Sequence, residues 1–520
     1  MKRRTFLKGT VPALAVPVAL NGMRLNTLAQ SPGLQHLFNA AVESDRILVI
    51  IQMDGGNDGL NTVIPVEDDL YYNLRPSIAI QKNQALPLDG NPLLRLHPDL
   101  HGLHQLFNDG RLSIVNNIGY DNYSLSHFQG TEIWNTGSGG NPDELHQSGW
   151  IGRFLEKDFP DYPRILPDHP PALQIRPAVS SVFSSGNSTI GLAVTDPTTF
   201  YELVNGSPSI HDDPAPDTLP GHEWNFIRTI NTQAVEFAGV IRKAADRANN
   251  QVEYPASNDL AAALAIVARL IAGGLKTRVY MVSLKGFDTH INQLFVQSLL
   301  FGYLSKAIKA FMDDITAHGV AHRVVGMTYS EFGRRIKQNS NGTDHGGAAP
   351  HFVFGAPVDG GKIHGALPNL ADPDQHGNLK HELTFQCYYA SVLGPFFNLP
   401  EDRLRHILPV GLCDAAERPA LYHGHVVNIQ RERTVVKGFF SSPNPASTET
   451  VIHYQMAGAG HAQITLHATD GRTLATVLDG YQDAGRHSVR VNLAGLPSGT
   501  YICRLRSVDG TRSQKIVVRR

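Results

Sequence analysis

Arg278-Val-Tyr-Met-Val-Ser-Leu284, a long amphipathic stretch from Gln293 to Ala317, and Arg323-Val-Val-Gly-Met-Thr-Tyr329 follow one another in the chain. Two short apolar runs flanking a helix-length segment predict strand, helix, strand. That is the span of a βαβ unit, whose strands run parallel and whose crossover is right-handed. Runs of the same kind stand at Arg46-Ile-Leu-Val-Ile-Ile-Gln-Met53 and Leu112-Ser-Ile-Val-Asn-Asn-Ile118. Because they are apolar at successive rather than alternate positions, they read as strands buried on both faces. The expected fold is α/β, a doubly wound and mostly parallel sheet. Helices are predicted around 101–108, over 258–271 between an Asn-Asp start and Gly273-Gly274, over 383–393 and over 402–408.

In open α/β sheets ligands bind at the carboxyl ends of the strands. The run Arg46–Met53 ends in Asp54-Gly-Gly-Asn-Asp58-Gly-Leu-Asn61, and Arg278–Leu284 leads to Gly286-Phe-Asp288-Thr-His290. Asp288 and His290 are two apart and share a face of an extended chain. A third run leads to Ser330-Glu331-Phe-Gly333-Arg334-Arg335, and Gly342-Thr-Asp344-His345-Gly-Gly-Ala-Ala-Pro-His351 lies beyond. Asp344 and His345 converge only if the backbone turns, which the glycines permit. Asn122-Tyr-Ser-Leu-Ser126-His127-Phe128 reads as a loop entering a helix, a setting that favours a hydroxyl nucleophile. Ser126 is the first choice, with Thr131 behind it.

Carboxylates and imidazoles suit divalent zinc or manganese. Asp54, Asp288, His290, Asp344, His345 and His351, with the Ser126 hydroxyl, are expected to hold two such ions. A pair of ions clamps the entering and departing oxygens of an in-line displacement at phosphorus or sulfur. Ser126 would attack to form a covalent ester, which water would then release. Arg334 or Arg335 would hold a non-bridging oxygen.

With 520 residues the chain exceeds one ordinary core, so two or more domains are expected. Its 45 basic and 47 acidic residues nearly balance without a basic stripe, which argues against nucleic acid as a partner. Three cysteines, at 387, 413 and 503, are too few for a disulfide framework and leave a single bridge open. The N-terminal Arg3-Arg4-Thr-Phe-Leu-Lys8 and the apolar run Val11–Leu20 resemble a twin-arginine signal over residues 1–30, implying the twin-arginine translocase as a partner. That run is too short to span a bilayer, so no stable transmembrane anchor is expected. Pro-rich residues 160–255 read as an insertion that roofs the pocket.

Five motifs in order resemble the domain of unknown function 1501 family over about residues 45–415. They are Asp54–Asn61, Ser126-His127-Phe128, Gly286–His290, Ser330–Arg334, and Thr343-Asp-His-Gly346 with His351-Phe-Val353. The resemblance implies an alkaline phosphatase-like core with two metals. Asp54, Asp344, His345 and the nucleophile would sit on one, and Asp288, His290 and His351 on the other. Relatives commonly space the first Asp and His of the second metal by three residues, whereas only Thr289 intervenes here. The Cys or Ser followed by x-Pro-x-Arg that a sulfatase needs is missing from this region, which favours phosphate over sulfate esters.

After a charged connector, placed at 416–441, the last eighty residues read as short alternating strands with turns at Asp470-Gly471, Asp479-Gly480 and Asp509-Gly510, a small antiparallel β-sandwich. Ser442-Pro-Asn-Pro-Ala-Ser447, Leu496–Tyr501 and the basic end Lys515–Arg520 resemble the type IX secretion C-terminal sorting domain of Bacteroidetes, over 442–520. That resemblance implies the type IX secretion machinery as a partner and a protein delivered to the cell surface or secreted. A carbohydrate-binding sandwich is the alternative, with few exposed aromatics to support it. The sequence as a whole reads as an exported metal-dependent hydrolase of phosphate esters. The rival readings are a non-catalytic surface protein on the same fold and a sulfatase-like esterase.

Overall fold

The computed structural model describes residues 45–140, 146–186, 188–204, 218–423, 439–442, 444–456, 460–468, 472–483, 485–507 and 510–519. The chain divides into two units, 1–428 and 429–520. The expected twin-arginine signal lies outside the described residues.

Strand β1 (Ile47–Asp54) explains the first unit. Its odd-numbered side chains from Ile47 to Met53 enter one core, and Leu48 and Ile50 enter another on the opposite face. A strand apolar on both faces must be covered on both, with each fully buried aliphatic side chain contributing about 1.5–3 kcal/mol. Helices α1 (His101–Asn108), α4 (Leu219–Arg247), α5 (Asp259–Ala272) and α6 (Gln293–Ala317) supply the first core. Helices α2 (His127–Thr136), α3 (Trp150–Glu156) and α7 (Phe385–Phe397) supply the second. Asn258 caps α5 through its side chain, which accepts from the Ala261 amide.

The remaining strands are β2 (Leu112–Gly119), β3 (Ala172–Gln174), β4 (Gly191–Ala193), β5 (Val279–Lys285), β6 (Val324–Tyr329), β7 (Ala349–Gly355), β8 (Lys362–His364) and β9 (Leu383–Thr384). They form a nine-stranded sheet in the order β8-β2-β7-β6-β1-β5-β3-β4, with β9 also paired to β2. All pairings are parallel except those of β7, which runs against both β6 and β2. The βαβ unit of β5, α6 and β6 therefore forms as expected, and β1 lies between its two strands. Asp54 pairs with Lys285 and Gln52 with Tyr329, so the three strands end level.

Two expectations are corrected. Residues 160–255 do not roof the pocket: β3 and β4 extend the sheet edge, and Phe237, Ile241 and Ala244 of α4 fill the first core. Strands of three residues between prolines are too short to carry a periodic signal. The first unit also runs past 415, because Leu421 and Tyr422 are buried and Tyr422 bridges Val358. Cys387 and Cys413 form a disulfide, while Cys503 is free and buried.

The second unit contains two antiparallel sheets around one core, as expected of a sandwich. One holds Phe440–Ser442, Glu449–Met456 and Gly485–Asn492; the other holds Thr473–Gln482, Gly460–His467, Gly499–Ser507 and Gly510–Val518. Asp479-Gly480 is no turn, since both residues pair within the strand Thr473–Gln482. Of the other two expected turns, residues 470, 471 and 509 lie outside the described residues, and Gly510 opens a strand. Among the described residues, no helix is long and apolar enough to cross a membrane.

Candidate metal centre

The level ends of β1, β5 and β6 bring their loops together. Arg334 ties them with five hydrogen bonds: to the carbonyls of Gly55, Gly56 (2.7 Å), Thr343 (2.8 Å) and Phe287 (3.0 Å), and to Asp288 Oδ1 (2.6 Å). Its side chain is fully buried. Arg334 was expected to grip a substrate oxygen, but its guanidinium is committed to the protein and instead fixes Asp288.

Asp288 Oδ1 also lies 3.1 Å from His290 Nε2 and 3.1 Å from His345 Nε2, and its Oδ2 is 3.5 Å from His127 Nε2. The two Nε2 atoms of His290 and His345 are 3.0 Å apart. Each ring has an acceptor at its other nitrogen. His127 Nδ1 meets Glu331 Oε1 at 2.9 Å, His345 Nδ1 the Leu125 carbonyl at 2.7 Å, and His290 Nδ1 meets Asp344 Oδ1 at 3.2 Å. With the proton on Nδ1, bonded to these acceptors, each Nε2 can present a lone pair; with a proton on Nε2 the ring donates to Asp288 instead. Three imidazoles around one carboxylate are a donor set suited to a divalent cation such as zinc. Ligand atoms of His127, Asp288 and His345 all lie within 4.8 Å of one another.

The outer partners are equally fixed. Glu331 is fully buried and accepts from the Gly55 amide at 2.9 Å. Asn339 donates to Asp344 at 3.1 Å. Phe332 packs its ring 4.4 Å from His345 and 5.0 Å from His127. Such second contacts orient ligand rings and set their basicity. The Glu331 hydrogen bond raises the His127 pKa, and burial lowers that of His345. Burial would raise the Asp288 carboxyl, but hydrogen bonds from Arg334 and then His345 outweigh it and hold it at about 2. Burial, then the charge of Glu331, raises the Asp54 carboxyl.

Of the expected ligands, the structure brings Asp288, His290, Asp344 and His345 together, with Asp344 reaching the set through His290. Asp54 is half-buried at the end of β1, near enough to sense Glu331 and His127. His351 is elsewhere. It lies within β7, fully buried, 5.3 Å from the Trp134 ring and 5.7 Å from Tyr388, with no hydrogen-bond partner at either nitrogen among the described residues. Sequence reasoning took it for a loop ligand because β7 was not recognised as a strand. Ser126 precedes α2 as an exposed N-cap without a side-chain cap bond. Its neighbour His127 joins the cluster. His127 and Glu331 are not among the expected site residues; both stand within the Ser126-His127-Phe128 and Ser330–Arg334 motifs, where the adjacent hydroxyl and guanidinium are the more conspicuous groups.

The glycines of the 342–347 loop act by close approach. A Cβ on Gly342 would lie 2.3 Å from the His290 carbonyl oxygen, and one on Gly346 2.4 Å from the Arg334 carbonyl carbon. Gly346 pairs with Gly333, and His345 with Arg334, in a two-residue ribbon.

Residues 231–400 match the family described as Protein of unknown function (DUF1501). The matched segment includes Asp288, His290, Glu331, Asp344 and His345 and leaves out His127 and Asp54. Residues 442–519 match the secretion system C-terminal sorting domain. That match indicates export, to the cell surface or the medium. No curated protein matches this chain. Similar solved structures include the lipoteichoic acid synthase LtaP from Listeria monocytogenes, 10% identical over 63% of this chain and 67% of that one with a TM-score of 0.29. A protein in the alkaline phosphatase superfamily from Vibrio parahaemolyticus is 10% identical over 62% and 63% with a TM-score of 0.28. The PsFucS1 sulfatase from Pseudoalteromonas sp. is 10% identical over 88% and 86% with a TM-score of 0.31. Superpositions this loose fix neither reaction nor residues.

Proposed function

We propose that this is an exported metal-dependent hydrolase of esters, phosphate esters first, built on an alkaline phosphatase-like core. The observation that carries the reading is the convergence of the Nε2 atoms of His127, His290 and His345 on Asp288. Asp288, His127, His290 and His345 would hold a divalent ion there, zinc before manganese given the three imidazoles, and it would supply Lewis acidity toward an ester oxygen.

The chain's own residues have separate roles. Glu331 and the Leu125 carbonyl hold His127 and His345 in the tautomer that presents Nε2. Arg334 keeps Asp288 ionised and in place. The Ser126 hydroxyl, exposed at the start of α2 beside His127, is the proposed nucleophile. Its oxygen bonds to phosphorus, the bond to the alcohol oxygen breaks, and the departing oxygen takes a proton. Water then hydrolyses the phosphoserine ester, returning the hydroxyl. Export would run by the twin-arginine translocase to the periplasm and by the type IX machinery across the outer membrane.

Metal analysis of the purified protein, with a panel of phosphomonoesters, phosphodiesters and sulfate esters, tests the reading. Wild type is expected to hydrolyse phosphate esters, and Ser126→Ala to keep the metal while losing turnover by about a hundredfold or more. Preference for sulfate esters would make it sulfatase-like. Bound metal without turnover of any ester would favour a non-catalytic surface protein.

A further inference from the structure

A cavity of about 600 Å³ lies against the metal centre, lined by Leu125, Arg335, Tyr123, Asp374, His376 and Lys380 among others. We propose that it binds the alcohol portion of the ester, and that this portion carries hydroxyls and one carboxylate, the latter held by Arg335. This rests on the hydrolase reading above. The volume suits a group of sugar size, within the roughly 300–1,000 Å³ usual for ligand pockets.

Two connections join the cavity to the centre. Leu125 lines it and accepts from His345 Nδ1 through its carbonyl. Arg335 lines it and donates its backbone amide to the Asp344 carbonyl at 3.0 Å. Neighbouring side chains on an extended chain point to opposite sides. Arg334 accordingly turns inward to Asp288, and Arg335 turns to the cavity.

The two arginines differ in what they hold. Arg334 has five acceptors. Among the described residues the Arg335 guanidinium has no hydrogen-bond or ion-pair partner, although Arg335 lines the cavity. A carboxylate entering the cavity can take its two Nη as a bidentate pair. Opposite charge limits the ligand to one acid. Asp374 lines the same space, anchored by the amides of His376 and Asn378 at 2.8 Å each, and Lys380 is already paired with Asp372 at 2.8 Å. Tyr123, hydrogen-bonded to Asp374, completes a wall of donors and acceptors suited to hydroxyls.

Glucuronate 1-phosphate and glucose 1-phosphate differ only at C6, by a carboxylate. The metal-loaded wild type is expected to favour the first by about tenfold in kcat/KM, mainly through KM. Arg335→Gln should bring the ratio to about one, and Arg335→Lys should restore part of it. In parallel, calorimetry on chelator-treated protein measures the same affinity ratio without turnover. No turnover of either ester, with an affinity ratio that depends on Arg335, would refute the hydrolase reading and support the subsite. A wild-type ratio near one, a ratio untouched by both variants, or preference for phenyl phosphate would overturn the subsite. Phenyl phosphate would instead point to the exposed Phe128 next to His127.

Discussion

Two acid-centred networks meet at Thr343, and they are built on opposite terms. Asp58 is 1% exposed; it accepts from Arg75 at 2.7 Å, from the Leu60 and Asn61 amides and from Gln293, and Arg75 is wholly buried. Every strong donor and acceptor there has a protein partner. Asp288 is 47% exposed on its side chain and faces the Nε2 atoms of three imidazoles that already hold acceptors at Nδ1. Thr343 joins them, its hydroxyl 3.5 Å from Asp58 and its carbonyl held by Arg334. A complete network holds the loops after β1 and β5 in shape, and the incomplete one beside it is where an outside atom fits. Partner chemistry, more than residue type, separates scaffold from site.

Substitutions on either side probe that contrast. Arg75→Met leaves a buried carboxylate without its cation and is expected to destabilise the fold by about 3–5 kcal/mol in denaturant unfolding. Asp288→Asn or His345→Ala should leave the stability of the metal-free protein within about 1 kcal/mol while weakening zinc binding by at least about a hundredfold. In wild type, zinc at about a hundred times its dissociation constant should add about 2.7 kcal/mol of stability, an increment both variants lose. Glu331→Gln keeps the shape but weakens the acceptor behind His127, with an expected loss of about ten- to a hundredfold in zinc affinity.

His351→Leu gives the smallest effect at neutral pH and tests the buried imidazole. Burial lowers the His351 pKa to about 3 from an ordinary 6.5. The unfolded chain therefore binds the extra proton between those values, and stability falls as pH drops from about 6.5 toward 3. That one proton contributes a slope of up to about 1.4 kcal/mol per pH unit. The variant should show a shallower acid limb in thermal melts and unchanged metal content. Lost metal would return His351 to the ligand set.

The sheet was legible because β1, β2, β5 and β6 are six to eight residues of nearly unbroken apolar character, a pattern that burial on both faces requires. Their level ends follow from parallel register, which is why Asp288, His290, Asp344 and His345 were found together. β3 and β4 have three residues each, below any period, and their role emerges only from pairing in the sheet. His351 misled because imidazoles are read as ligands unless burial is known. His127 and Glu331 were hidden by distance: 204 positions separate two side chains whose meeting depends on where α2 starts relative to β6. The choice between Arg334 and Arg335 as the oxygen-holding residue is not legible either, since nothing local marks which of two adjacent arginines faces the loops.

Calorimetric titration of zinc into chelator-treated wild type and Asp288→Asn tests the metal centre most directly. A saturable site is expected in the wild type, at least about a hundredfold weaker in the variant, with both proteins folded throughout. Equal affinity in the two, or no binding by the wild type, would contradict it.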